Sequence, residues 1–225
     1  MQTRFLTIFF VLLFFISSCV TPYAPPPRSL RTVADFPAFE LEPIELGLNV
    51  AMVGFKVEQQ EMKLTYNPRT DEITLAFTYA FNKMSLQMCH VAREYFVDSL
   101  NKYISEFENR TLKKRGNTKD MYETATVLVK WGTFIQNGEA TPEMRFGYYF
   151  DRNVVYFTMT AYPGENYAEV SLEHVKTSPP FTICMTIAQA KKLAEVTSVE
   201  NLRDSLIERK NGRLNTEGDV YIEAE

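Results

Sequence analysis

The alternation of side chains on either side of Asn67-Pro68-Arg69-Thr70-Asp71 limits what this chain can fold into more than any other feature. Met62, Leu64 and Tyr66 precede that turn-forming run, and Ile73, Leu75, Phe77, Tyr79 and Phe81 follow it, separated one by one by polar or small residues. A period of two sends successive side chains to opposite faces, so the run predicts a β-hairpin with one strongly apolar face, Phe81 included. A strand over about Leu48–Val57 is expected before it. Such a hairpin needs a second layer to cover it.

The period changes from Met84. Cys89, Ala92, Phe96, Leu100, Tyr103 and Phe107 recur at three and four residues, which predicts a long amphipathic helix over about 84–114. Lys113, Lys114 and Arg115 then suit its C-terminal carbonyls, and Gly116 its terminating turn. A second β-rich block follows over about 122–175. Val127, Val129 and Trp131, then Phe146–Phe150, Val154–Ala161, and Ala168, Val170 and Leu172 suggest strands, with turns at Asp151-Arg152-Asn153 and Pro163-Gly164-Glu165-Asn166. The block reads as an antiparallel meander. Thr186-Ile187-Ala188-Gln189 fits a capping box that opens a helix to about 196. Thr197-Ser198-Val199-Glu200 repeats the pattern, which predicts a second helix ending near Lys210, and Asp219–Glu223 suggests a last strand. The expected class is α+β: an antiparallel sheet of hairpins with two or three amphipathic helices packed on one face. Strands, helix, strands, helix is an order that invites an internal duplication, but no residue-level repeat accompanies it.

The N-terminus carries an address. Arg4 precedes an apolar stretch from Phe5 to Ile16, and small residues follow. As a helix that stretch is about 18 Å long, short of the roughly 30 Å hydrocarbon core that a spanning helix crosses. Ile16-Ser17-Ser18-Cys19 then resembles the lipobox of bacterial lipoproteins, in which an aliphatic residue and two small ones precede a cysteine. The resemblance covers the signal region only. It implies that residues 1–18 are a removed signal peptide, that Cys19 becomes the lipidated N-terminus, and that the lipid is the membrane partner. A plain secretory leader cut near Ser18 and an uncleaved anchor are the competing readings. Val20 stands where an aspartate marks inner-membrane retention in some bacteria, which points to the outer membrane of a two-membrane cell. Six of the 11 prolines fall between Val20 and Leu46, so residues 19–46 read as a lipidated cysteine and tether, and 47–225 as a single α+β domain.

Composition narrows the partners. Arg4 leaves with the leader, so the mature chain balances 23 basic against 28 acidic side chains. That balance excludes the basic face that nucleic-acid binding needs. Cys89 and Cys184 are the cysteines beyond Cys19; an oxidising compartment would let them pair, whereas their apolar neighbours suit small core residues.

The search for chemistry yields little. No metal-ligand spacing, phosphate-cradling loop or Gly-x-Ser-x-Gly elbow occurs, so no metal or cofactor is expected. His90 is beside Cys89, but consecutive helical residues point about 100° apart. His174 falls with Val170 and Leu172 on the apolar side of its expected strand. Ser99-Leu100-Asn101-Lys102 has the Ser-x-x-Lys spacing of penicillin-recognising enzymes without their companion motifs. Glu169 and Glu173 share one side of a strand, as a solvated sheet face also would. The strongest candidates for a ligand or protein surface are the aromatics of the second block: Trp131, Tyr148, Tyr149, Tyr156, Tyr162 and Tyr167. The expected function is a lipid-anchored, non-enzymatic binding or structural module of the cell envelope with a protein or glycan partner. The alternative is an envelope hydrolase with a carboxylate acid–base pair.

Overall fold

The computed structural model describes residues 36–50, 54–113, 121–133, 137–168 and 176–217. Along these residues run β1 (Phe39–Glu40), β2 (Ile44–Asn49), β3 (Val57–Asn67), β4 (Glu72–Tyr79), β5 (Asn82–Met88), α1 (His90–Glu108), β6 (Met121–Thr126) and β7 (Leu128–Gly132). They are followed by β8 (Asn137–Ala140), β9 (Glu143–Asp151), β10 (Val154–Ala161), β11 (Phe181–Met185), α2 (Ile187–Val196) and α3 (Val199–Glu217). The class is α+β, with antiparallel sheet predominating.

The strand order is β6-β9-β10-β11-β2-β3-β4-β5-β7-β8, with β1 beside β3. Two stretches of chain each serve both halves of the sheet. The first half of β3 pairs with β2 and its second half with β4, and the Gln60 side-chain amide bonds Thr78 N and O near the point where the pairing changes. β6 and β7, joined through Val127 alone, pair with β9 and β5 respectively. The expected meander is therefore corrected: its first two strands enter opposite ends of the strand order. Because one residue links those ends, the sheet must curl until its ends meet. Phe77 of β4 and Phe181 of β11 lie 5.2 Å apart, although three strand spacings in a flat sheet would separate them by about 14 Å.

Registry places the apolar side chains on a single face. Met159 stands opposite Phe146 and Ile183, Ile183 opposite Leu48, Ile44 opposite Met62, Leu75 opposite Leu64 and Leu86, and Leu86 opposite Val129. All of these are buried. α1 packs on β4, β5, β6 and β9 and on α2; α2 packs on β2, β10 and β11. Ala92, Phe96, Leu100 and Tyr103 form the buried stripe of α1, as their spacing predicts. The Phe96 ring lies 5.6 Å from Phe146 and 6.2 Å from Phe157, and Tyr103 OH donates to the Val155 carbonyl at 3.0 Å. On the same face the indole of Trp131 covers Gly138 so closely that a Cβ there would overlap the ring.

Four further expectations are corrected. The strand over Leu48–Val57 is instead the end of β2 and the start of β3, and ordered sheet already occupies Phe39–Glu40 and Ile44–Asn49, ahead of or across Gly47. The helix expected from Met84 begins at His90, because Met84, Leu86 and Met88 still alternate with Ser85 and Gln87 as β5. That helix ends at Glu108 and not at 114: Arg110 takes the left-handed position (φ 56°), and Thr111 N bonds the Glu106 carbonyl. Phe81 leaves the hairpin face altogether. β4 stops at Tyr79, and Ala80 (φ 45°) and Phe81 (φ 68°) form a two-residue turn whose ring is 97% exposed.

The Thr186 capping box forms as expected, with Gln189 N donating to Thr186 Oγ1 and Thr186 N to Gln189 Oε1. The two consecutive helices also form, although the cap of α3 comes from Ser198, whose hydroxyl accepts from Asn201 N, and α3 runs to Glu217. The expected strand at Ala168–Leu172 lies outside the described residues beyond Ala168, as does the one at Asp219–Glu223. Among the described residues no helix is long and apolar enough to cross a membrane.

Candidate functional site

Among the described residues, three of the places that gather polar or aromatic groups bear on function. The first is a buried ionic cluster at the start of α1. Asp71, in the left-handed region at φ 53°, ends the β3–β4 turn and is 2% exposed. Its Oδ1 accepts from Arg93 Nη1 at 2.5 Å and Tyr66 OH at 2.9 Å; its Oδ2 accepts from Arg93 Nη2 at 3.0 Å and faces His90 Nδ1 at 2.7 Å. Nε2 of His90 faces Glu94 at 3.1 Å. Burial alone would raise the Asp71 pKa, but the Arg93 guanidinium, with help from Tyr66 and His90, holds it below the usual carboxylate range. The Tyr66 hydroxyl is shifted up by burial and by the Asp71 carboxylate. The cluster ties the helix to the hairpin turn and keeps every partner occupied, which is the chemistry of a structural staple.

The second is a cleft of about 710 Å³ between α1, α2 and α3, lined by Glu94, Asp98, Glu195 and Glu200 among others. Among the described residues no three His, Cys, Asp or Glu side chains are placed to hold a metal ion.

The third is a groove of about 380 Å³ on the sheet face opposite the core. Register builds it row by row. One row across the strands holds Thr124, Arg145, Thr160 and Thr182; the next holds Met121, Gly147, Thr158 and Cys184; a third pairs Tyr149 with Tyr156. Gly147 has no side chain to fill the middle row, so Arg145 on one side of it and Tyr149 on the other stand as walls. On one wall Arg145 lies 4.2 Å over the Tyr162 ring, its Nη1 donating to Tyr162 OH at 3.2 Å and its Nε to Glu143 at 2.5 Å. The hydrogen bond with Glu143 raises the guanidinium pKa further. On the other wall Phe55, carried over the sheet by the β2–β3 connection, lies 4.3 Å from the Tyr149 ring and 5.7 Å from Tyr156. The hydroxyls of Thr160 and Thr182 are 3.2 Å apart on the floor.

Of the six aromatics singled out by sequence, Tyr149 and Tyr162 line this groove with their rings, and Tyr156 lies beside its wall, 5.7 Å from Phe55. Trp131 is buried on the core face. Tyr148 turns its ring toward Tyr122 and its hydroxyl to the Lys113 carbonyl. Tyr167, 53% exposed, bonds through its N–H to the Glu139 carbonyl at the edge of β8. Arg145 and the threonines escaped the sequence reading because they alternate with Met144, Phe146, Phe157 and Met159 and read as solvated positions. Ser99 and Lys102 do not meet: Ser99 Oγ donates to the Tyr95 carbonyl at 2.7 Å, and Lys102 lies over the Tyr122 ring. Cys89 caps α1 and Cys184 is buried in β11, both as free thiols, and burial pushes the Cys184 thiol up to about 12. Cys19, Glu169, Glu173 and His174 lie outside the described residues.

No solved structure matches this chain. A protein of Treponema pallidum (strain Nichols), described as an uncharacterized protein, is 25% identical over 174 residues, which cover 74% of this chain and 60% of that protein's length. Residues 41–204, from just ahead of β2 to the first turns of α3, match the family model described as "Uncharacterised Treponema protein", and the chain belongs to that family.

Proposed function

We propose that this chain is a lipid-anchored protein of the bacterial cell envelope whose folded domain is a non-enzymatic binding module, with the outer-face groove as its ligand site. The observation that carries the binding reading is the convergence of Tyr149 and Tyr162 with Arg145 around one concavity, on or next to strands whose opposite faces build the core. Core packing does not require exposed rings there, and Tyr149 and Tyr162 keep 37% and 39% of their surface open. In this reading α1 and α2 cover the apolar face and leave the other free for ligand.

The anchor rests on Ile16-Ser17-Ser18-Cys19 and the proline-rich segment after it. Lipid on Cys19 is the membrane partner, the outer membrane is the proposed site in a two-membrane cell, and the domain contacts an envelope protein or glycan. Hydrolysis by a carboxylate pair is the alternative, and it would draw on the acidic cleft between the helices. Asp71 is unsuited to it, since a general acid needs its proton near neutrality and Arg93 holds Asp71 ionised.

Metabolic labelling with an alkyne fatty acid tests the anchor: label on the wild-type chain and none on Cys19→Ala is expected, and label persisting on the variant sinks it. For the groove, Tyr149→Ala and Arg145→Ala should reduce partner recovery from gently solubilised envelope while leaving the β-sheet circular dichroism unchanged. Equal recovery with both variants would remove the groove as the site.

A further inference from the structure

The groove's chemistry selects among ligands. Among the described residues Arg145 is the only charged one in its lining, and Glu143 neutralises it at 2.5 Å. An anionic or cationic ligand would therefore meet no unpaired countercharge. The remaining polar groups are mainly hydroxyls, of Thr158, Thr160 and Thr182 on the floor and of the two wall tyrosines, each able both to donate and to accept. Main-chain recognition is closed off as well, because the groove lies over β9, β10 and β11, whose backbone groups are engaged in ladders to both sides. An extended peptide that adds a strand needs a free edge, and this is the middle of a sheet.

What remains is a ligand with apolar flat faces, many hydroxyls and no charge. Tyr162 has one face against Arg145 and Tyr149 has one against Phe55, so the open surface of each is the other face and edge. Tyr149 follows Arg145 by four steps along β9, roughly 13 Å along an extended strand. That distance places one ring platform at each end of a short oligosaccharide. Building on the groove as the ligand site, we infer that it binds an uncharged oligosaccharide, with sugar rings stacked on Tyr149 and Tyr162 and sugar hydroxyls bonded to Arg145, Thr158, Thr160 and Thr182.

The test uses the full chain in micelles of a sugar-free detergent, with saturation-transfer NMR and titration calorimetry. The probes are maltotriose, cellotriose and tri-N-acetylchitotriose, with a hyaluronan tetrasaccharide as the charged sugar and an uncharged capped pentapeptide as the non-sugar. At least one neutral trisaccharide should bind more tightly than hyaluronan. Tyr149→Ala and Tyr162→Ala should each weaken it about tenfold or more, and Tyr149→Phe should retain it. Absence of neutral-sugar binding up to about 10 mM, or binding unchanged in both alanine variants, overturns the inference. Pentapeptide binding that is lost in Tyr149→Ala would keep the groove as a ligand site and remove the sugar. Silence from every probe would remove both.

Discussion

Single residues in this fold are held by unusually close neighbours, and their replacement has distinct readouts. Asp71 and Arg93 are each 2% exposed, so removing one leaves the other's charge buried. Asp71→Asn should cost about 3–5 kcal/mol in urea unfolding, while a charge-free pair such as Asp71→Asn with Arg93→Met should recover part of that loss. The pH dependence has a definite sign. A carboxylate with a depressed folded pKa contributes stability that is present above its unfolded value of 3.8 and lost as pH falls through the lower folded value. Wild-type stability should therefore drop below about pH 4 more steeply than that of Asp71→Asn; parallel profiles would refute the assignment. Gly138 offers an optical test. The protein has one tryptophan, and a Cβ at 138 would displace its ring, so Gly138→Ala should shift tryptophan emission to the red and destabilise by about 1–3 kcal/mol.

Among the elements, the β4–β5 turn stands out because its residues contradict its geometry. Two-residue hairpin turns with positive φ throughout favour Asn-Gly, and an L side chain there costs about 1–2 kcal/mol per residue. Ala80-Phe81→Asn-Gly should therefore raise the unfolding midpoint, since the exposed Phe81 ring gives up no packing; a lowered midpoint would mean that the ring is held by contacts within the chain. The same contradiction explains what was legible in advance. The β3–β4 hairpin could be read because Asn67, Pro68 and Asp71 announce its turn, whereas Ala80 and Phe81 announce nothing and extended the apparent apolar face by one residue too many. Met84, Leu86 and Met88 read as helix in the sequence because they run straight into the 3.6-residue pattern that starts at Cys89, with only the extended Cys89 to part strand from helix. The α2 capping box was readable because its bonds are local. The groove was not, since its walls come from β9, β10 and the β2–β3 connection, and registry between distant strands leaves no mark in a linear sequence.

At the scale of the whole molecule, β3 and the β6–Val127–β7 run make the two half-sheets inseparable. Each half depends on strands it shares with the other, so urea unfolding followed by tryptophan emission and by circular dichroism should coincide in one transition, and distinct midpoints would show the halves to be independent. Alkali should trigger that transition. Burial raises the hydroxyls of Tyr66, Tyr103 and Tyr122 above the ordinary value of 10.0, so their neutral forms favour the folded state and stability is lost as pH climbs past about 10. Cys184, with its thiol pushed up to about 12, should resist alkylation until the sheet opens. The strained turn also has a place in the whole. β1, where the described chain begins, pairs with Tyr66 at one end of the β3–β4 hairpin, and Phe81 sits beyond the other end, six residues of β4 or roughly 20 Å away. With the proposed lipid on Cys19, the tether would enter the domain at the opposite end of this hairpin from Phe81, which leaves the exposed ring turned away from the point of attachment.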